Sequence, residues 1–359
     1  MADLNGRLPT PADWVGRRVF VTGHTGFKGA WLALWLDRMG AKVTGLSLAP
    51  EPGSLGETLD IGHLMHSIEA DIRDAAGLRR HMADAAPEIV FHLAAQALVR
   101  RSYANPLETF ATNTMGTAHV LEAVRTIPSV RAVVVVTTDK VYENREWAWP
   151  YRESDALGGY DPYSASKAGA ELVTATWRRS FLAERDVGVA SARAGNVFGG
   201  GDWSADRLVP DCMRAFAESR PVRIRNPVAT RPWQHVLDPV CGYLLLAERL
   251  LHDPEAAQAW NFGPGHEDAQ PVIEIVRHLA GAWGEGASWE VDAGQHPHEA
   301  MLLAVDSSLA RARLGWRPRL KLPVALGQTA HWYRSQRAGE DPRRLILADI
   351  ERYGMEASQ

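Results

Sequence analysis

An α/β fold built on a doubly wound parallel sheet is what this sequence predicts, and three observations carry the prediction. Short apolar runs alternate with longer stretches of helical period through the first half of the chain. Those runs are apolar throughout rather than every second residue, as strands covered on both faces must be. A turn with spaced glycines joins the first run to the first helix, where such sheets hold their ligands.

The elements follow in order. Arg17–Thr22 is a short β-branched run that ends at Gly23. Phe27–Met39 has helical period, with Trp31, Leu32, Leu34, Trp35 and Leu36 as its apolar face, and Gly40 stops it. Lys42–Leu48 is the next strand, so the chain begins with a strand–helix–strand unit, the seed of a parallel sheet. His66–Ala70 is a weaker strand, Ala75–Ala85 a helix and Glu88–Leu93 a buried strand. Pro106–Thr126 reads as a long helix, Arg131–Thr137 as the clearest strand, Tyr163–Glu184 as a second long helix and Val187–Arg193 as a strand. After Asn196 the rhythm breaks. Helices are expected near Leu208–Glu218 and Val236–Leu251, and a strand at Trp260–Phe262. From Pro271 onward short helices among Pro- and Trp-rich turns are expected. The division is residues 1–195 as a nucleotide-binding domain and 196–359 as a smaller α/β substrate-binding lobe, interleaved with the first.

A chain of 359 residues exceeds the usual single core, which agrees with two lobes. Its formal net charge of −4 gives no reason to expect nucleic-acid or membrane binding. Met1–Arg18 is polar, without an apolar signal core, and no apolar run approaches a membrane span. Cys212 and Cys241 lack metal-type spacing and read as structural thiols of a reduced, cytoplasmic protein. The 13 tryptophans read first as packing residues and second as walls of a sugar site.

Gly23-His24-Thr25-Gly26-Phe27-Lys28-Gly29 places glycines at a spacing of three between strand and helix. Gly23 permits the tight turn, Gly26 lets backbone approach a pyrophosphate, and Gly29 lets helix and strand pack closely, as in Rossmann-type sites. The helix N-terminus supplies amide donors to phosphates. Thr25, Phe27 and Lys28 belong to the same cradle. An acidic residue at the end of the second strand would hold the adenosine ribose, but Leu46-Ser47-Leu48 stands there, so the motif alone leaves NAD and NADP both open. Lys28 is either a solvated helix residue or an attractor of the extra phosphate. Asp71, with Ile72 after it, is placed to meet the adenine.

Tyr163-Ser164-Ala165-Ser166-Lys167 sets Tyr and Lys one helical turn apart on one face. An ammonium beside a phenol favours the phenolate, which predicts a lowered Tyr163 pKa and a base for a substrate hydroxyl as hydride leaves. Asp139 and Lys140 follow the strongest strand, at the edge where open sheets bind ligands.

Together these residues resemble the extended short-chain dehydrogenase/reductase family. Further matches are Phe91-His92-Leu93-Ala94-Ala95-Gln96, Thr112-Asn113-Thr114-Met115-Gly116-Thr117 and Arg193-Ala194-Gly195-Asn196-Val197-Phe198-Gly199, and the likeness runs from about Arg17 to Trp316. The resemblance implies NAD as cofactor, with Leu93, Ala94, Ala95, Asn113 and Thr137 lining its site. It implies Thr138 at the sugar O4, Asn196 and Arg231 at the substrate diphosphate, and Leu208 beside them. Arg207 joins them by resemblance, with a surface ion pair as the equal alternative. His92 and His235 read as structural.

Thr137-Thr138-Asp139-Lys140-Val141-Tyr142 is similar to the segment found in the family's dehydratases, with Lys140 where the dTDP-glucose enzymes carry Glu. That departure, the Gly23–Gly29 loop and Gly199-Gly200-Gly201-Asp202-Trp203 are similar to the branch acting on CDP-D-glucose. The implied reaction is a 4,6-dehydration in a homodimer or homotetramer. A 4-epimerase or 4-reductase of the same family, or a non-catalytic cofactor sensor, stands as the alternative.

Overall fold

The computed structural model describes residues 6–292, 294 and 301–355. Its centre is a seven-stranded, all-parallel sheet: β1 Arg18–Thr22, β2 Lys42–Ser47, β3 His66–Glu69, β4 Ile89–His92, β5 Ala132–Val136, β6 Gly188–Arg193 and β7 Ala259–Asn261. The spatial order is 7-6-5-4-1-2-3, so the winding reverses between β1 and β4. Register is set from β1, where Val19 pairs with Val43 on one side and Ile89 on the other. β1, β4 and β5 are buried almost without exception, which is why their sequences carry no polar alternation.

Helices cover both faces. α1 (Phe27–Arg38) returns β1 to β2, α2 (Ala75–Ala85) packs beside the helix α3 (Gly116–Thr126), and α4 (Pro162–Trp177) lies against α3. The run expected as one helix over Pro106–Thr126 is continuous but passes through a π turn at Ala111–Met115. The helix expected over Tyr163–Glu184 leaves α-geometry after Trp177, through a π turn and a short 3-10 turn.

The second half crosses back into the first. β7 extends the main sheet beside β6, and the buried helix α6 (Leu237–Leu250) packs on β5 and β6. α5 (Leu208–Ala217) buries Val209, Cys212, Met213 and Phe216 in the main core. Beyond Pro271 a short strand (Trp289–Val291) and a short helix (Ser308–Leu314) stand among three longer helices, α7 (Val272–Trp283), α8 (Leu322–Arg337) and α9 (Pro342–Met355), which pack on one another and, through α9, on α1. Tryptophans 14, 31, 260, 316 and 332 are fully buried packing residues. Among the described residues no helix is long and apolar enough to cross a membrane, and no cluster suits a metal ion. Of the polar stretch Met1–Arg18, residues 1–5 lie outside the described residues.

Candidate active site

All seven strands are parallel, so the segments leaving β1, β4, β5 and β6 emerge on one edge. Those segments are Gly23–Gly29, Leu93–Ala95, Thr137–Lys140 and Ala194–Asn196.

The glycine loop has the geometry of a phosphate cradle. Gly23 sits at φ +78°, and a Cβ there would lie 2.7 Å from the Ala94 nitrogen, so β1 and β4 close together only over glycine. A Cβ on Gly29 would stand 2.0 Å from the Gly23 carbonyl oxygen. Gly26 differs: its Cβ would meet nothing nearer than 3.4 Å, and the space beside it is open to a ligand. No side chain caps the α1 N-terminus, which leaves its first amides free for a phosphate. These features fit a dinucleotide. Thr25 is tied back to β2 by Ser47, its Oγ1 2.7 Å from the serine hydroxyl. The loop is held further by His24, which is buried over Gly45, bonded to Ser67, and has its pKa driven to about 4 by burial. Leu93 and Ala94 donate their amides to the Thr22 carbonyl and hydroxyl oxygens, and Ala95 follows them, half-buried, at the edge.

Several of the expected ligand residues already carry partners within the protein. Asp71 is clamped by Arg73, which approaches one carboxylate oxygen from Nε at 2.8 Å and Nη2 at 2.6 Å. Ile72 is buried and gives its carbonyl to His119. Asn113 is 1% exposed and spends both amide hydrogens, one on the Gln96 carbonyl and one on Ser166, while its oxygen accepts the Gln96 amide. It braces the β4 edge against α4 instead of offering a donor to a cofactor. The Thr137 hydroxyl donates to Glu171 at 2.5 Å and is likewise spent within the protein. Arg231 donates to the Thr230 and Met301 carbonyls. Leu208, half-buried, packs on the main core.

Thr138 caps a short turn over Asp139–Val141, and this turn aims the acid–base residues. Its hydroxyl donates to an Asp139 carboxylate oxygen at 3.0 Å and accepts the Lys140 amide at 3.3 Å. Asp139 is 0% exposed, so it is not a solvated strand cap. Its second oxygen has no partner among the described residues and lies where a Cβ on Gly195 would stand, 1.8 Å away. Lys140 is half-buried, and no described side chain pairs with its ammonium.

Tyr163 starts α4, and Lys167 lies one turn on. The expected lowering of the phenol pKa is reversed: burial pushes Tyr163 up to about 12, against the pull of Arg207. Lys167 is turned toward the sheet. Its ammonium donates to the Val136 carbonyl at 3.0 Å, and burial takes it down to about 8, with Glu171 pulling the other way. Lys28 departs from both of its readings. Burial first, then the cations Arg207 and Lys167, bring it down to about 7, while Asp139 and Asp202 oppose them. Its charge is thereby coupled to Arg207, Lys167, Asp139 and Asp202. Arg207 pairs with buried Asp202 at 3.4 Å, as its ion-pair reading expects, and lies near enough to bias Tyr163 and Lys28. The Asn196 side-chain nitrogen is buried without a partner among the described residues, and its backbone is left-handed at φ +46°. Such a donor suits an anion.

Beneath the site lies a buried network that motif reading missed. Glu171 binds Arg193 at 2.9 Å, both side chains 3% exposed, and accepts from Thr137 and Ser191. Arg193 reaches the Tyr142 hydroxyl at 2.8 Å, which donates to Asn261. The available signal was Glu171 itself, a carboxylate one turn past Lys167 on the same face. His92 and His235 are buried, and burial alone brings His235 to about 3.

Fold and site define a dinucleotide-binding α/β protein with acid–base residues gathered at the sheet edge. The family model described as GDP-mannose 4,6 dehydratase matches residues 20–329, and the chain belongs to that family. It is 52% identical over 335 residues to the CDP-glucose 4,6-dehydratase of Salmonella typhimurium, covering 91% of this chain and 93% of that protein. It is 30% identical to the dTDP-glucose 4,6-dehydratase of Streptomyces griseus, covering 90% and 96%. A solved double mutant of dTDP-glucose 4,6-dehydratase from Streptomyces venezuelae, with NAD bound, superposes with a TM-score of 0.76 at 25% identity, covering 91% of this chain and 99% of that one.

Proposed function

We propose that the chain is an NAD-dependent 4,6-dehydratase that converts CDP-D-glucose to the 4-keto-6-deoxy sugar nucleotide. The observation that carries this reading is Asp139: it is fully buried, accepts the Thr138 hydroxyl at 3.0 Å, keeps its second carboxylate oxygen without a partner among the described residues, and lies close enough to Tyr163 to bias the phenol. It puts the group suited to oxidising a hydroxyl beside a buried acid suited to eliminating one. The Salmonella and Streptomyces relatives support the dehydration, and the former, at 52% identity, supports the CDP-sugar.

NAD, held by Gly23–Gly29 and the β4 edge, supplies the hydride acceptor for C4 and the donor for C6. Tyr163, with Lys167 behind it, takes the O4 proton. The 4-ketone acidifies C5–H. Lys140 takes that proton, and Asp139 protonates the departing C6 hydroxyl. Lys140 then returns its proton to C5. Asn196, Arg207 and Arg231 surround the substrate diphosphate, and Lys28 joins them. Residues 1–195 carry the cofactor, and 196–359 form the interleaved substrate lobe.

The same reading includes a cytoplasmic protein that assembles through the Pro106–Thr126 and α4 helices as a homodimer or homotetramer. Leu107, Phe110, Met115, Leu172 and Phe181 stand exposed on these helices and the π turn after α4.

The test offers purified protein CDP-, dTDP-, UDP- and GDP-glucose and weighs the products. CDP-D-glucose should lose water far faster than the others, and deuterium placed at C4 should arrive at C6. Label retained at C4 would mean epimerisation, and faster turnover of dTDP-glucose would overturn the CDP assignment.

A further inference from the structure

The turn Gly199-Gly200-Gly201-Asp202-Trp203 takes no step in the proposed dehydration, yet distant elements close on it from several sides. The Trp31 indole of α1 donates to the Gly200 carbonyl at 3.0 Å. A Cβ on Gly200 would stand 2.2 Å from the Trp332 ring of α8, and one on Gly201, at φ +81°, 2.6 Å from Leu55. The next residue of α8, Tyr333, donates its hydroxyl to the Asp202 carbonyl and sets its ring edge-on to Trp203, centroids 4.8 Å apart. The glycines let the chain pass where side chains would clash, and the packing fixes the backbone at Asp202.

Asp202 is 1% exposed. One carboxylate oxygen accepts the Ser204 amide at 3.0 Å and closes the turn, and the other meets the Arg207 guanidinium at 3.4 Å. A buried carboxylate needs a partner, and Arg207 supplies it while its own side chain stays a third exposed. That contact engages one corner of the guanidinium fork, and no other described group accepts from it. The neighbouring carboxylate, Asp206, is no rival, since Arg100 and Arg225 hold it at 3.4 and 3.6 Å. Arg207 in turn lies near enough to Tyr163 and Lys28 to bias both.

We propose that Asp202 is the positioning residue of the diphosphate site: it holds Arg207 by one corner, leaves the rest of the fork for phosphate oxygens, and is itself aimed by Tyr333 from α8. This rests on Arg207 meeting the diphosphate of a sugar nucleotide. A free arginine side chain loses rotamer freedom when it grips an anion, and one already held has less to lose. A carboxylate near a phosphate also repels it. Asp202 lies buried on the inner side of a partly exposed guanidinium, whose charge screens it from a ligand arriving from solvent, so the holding effect prevails.

CDP, dTDP, UDP and GDP are each titrated into the NAD-loaded protein by calorimetry, and the tightest is carried through the variants. Asp202→Asn keeps an oxygen for the Ser204 amide and removes the charge. It should weaken binding roughly two- to tenfold, the worth of ordering one such side chain. Tyr333→Phe removes a hydroxyl bonded only to backbone of the turn, and should act in the same direction but less. Both substitutions are then repeated with Arg207→Met, where each should lose its effect, because groups that act through one arginine are not additive with its loss. A fall by the same factor with and without Arg207 would mean a general structural role and overturns the proposal. So does D202N binding as tightly as wild type or more tightly, and so does wild type that binds none of the four. Turnover is read separately: wild type that binds a nucleoside diphosphate but forms no 4-keto-6-deoxy product from any of the four glucose nucleotides sinks the dehydratase reading and leaves the positioning role standing.

Discussion

Lys28 shows how far one side chain's role depends on its surroundings. It occupies the first turn of α1, yet its ammonium is caught among Arg207, Lys167, Asp139 and Asp202. A cation so placed is predicted to serve substrate or cofactor phosphate near the reacting centre and to leave the choice of NAD over NADP unaffected. Lys28→Met should raise KM for the nucleotide sugar about tenfold or more, as loss of a charge-assisted bond of roughly 1.5–3 kcal/mol implies. The ratio of KM values for NAD and NADP should stay as in wild type, and steady-state kinetics with both cofactors decide it. At Tyr163, a phenol held near 12 means that the folded protein alone does not prepare the phenolate. Tyr163→Phe should lower kcat by about two to four orders of magnitude while bound cofactor is retained. Asp139→Asn should separate the half-reactions: the first hydride transfer survives and elimination stalls. Reduced-nicotinamide absorbance should then build up in proportion to enzyme, whereas wild type shows none.

The elements explain why these side chains sit so firmly. α4 carries Tyr163 and Lys167 above and Glu171 below, and Glu171 is bolted to β6 through Arg193. Glu171→Ala would leave a guanidinium buried and unpaired, which costs about 3–5 kcal/mol. Denaturant unfolding should show that loss. Glu171→Gln keeps hydrogen bonds to Ser191 and Thr137 and should lose less. The turn after β6 matters equally, because Gly195 leaves room for Asp139. β1, β4 and β5 were legible in the sequence because each is a nearly continuous apolar run, and Ala75–Ala85 was legible to the residue. The π turns were not. They keep helical spacing and composition while shifting one hydrogen-bond register, so periodicity cannot distinguish them. The long helices after Pro271 were obscured by Pro and Trp, two residues that read as breakers or turn formers until their burial is seen.

At the scale of the molecule, the C-terminal helix is docked through one buried carboxylate. Asp238 accepts the Tyr353 hydroxyl at 2.8 Å and the Arg319 amide at 2.8 Å, and burial lifts its pKa to about 7. A carboxyl whose folded pKa is raised stabilises fully below its unfolded value, and that contribution fades as pH climbs through the folded one. Wild type should therefore lose thermal stability relative to Asp238→Asn between pH 4 and about 7. Melts at pH 5 and pH 8 test this, and a variant deficit that grows with pH would contradict it. Light scattering at micromolar concentration tests the assembly, since a monomer there would leave the apolar faces of Pro106–Thr126 and α4 without their proposed partner.

The sequence by itself determined the doubly wound sheet, the glycine cradle, the Tyr163–Lys167 pair and the place of Asp139 and Lys140. Each depends on local chemistry: apolar runs, glycine spacing, one helical turn, the end of one strand. Only the tertiary structure decided which groups meet. It coupled Lys28 to Arg207, Lys167, Asp139 and Asp202, spent Asn113 and Thr137 on bracing, raised the Tyr163 phenol and hid Glu171 beneath Arg193. Burial and the partners brought in from distant elements set a side chain's charge state and its free hydrogen bonds, and neither is written in its sequence neighbours.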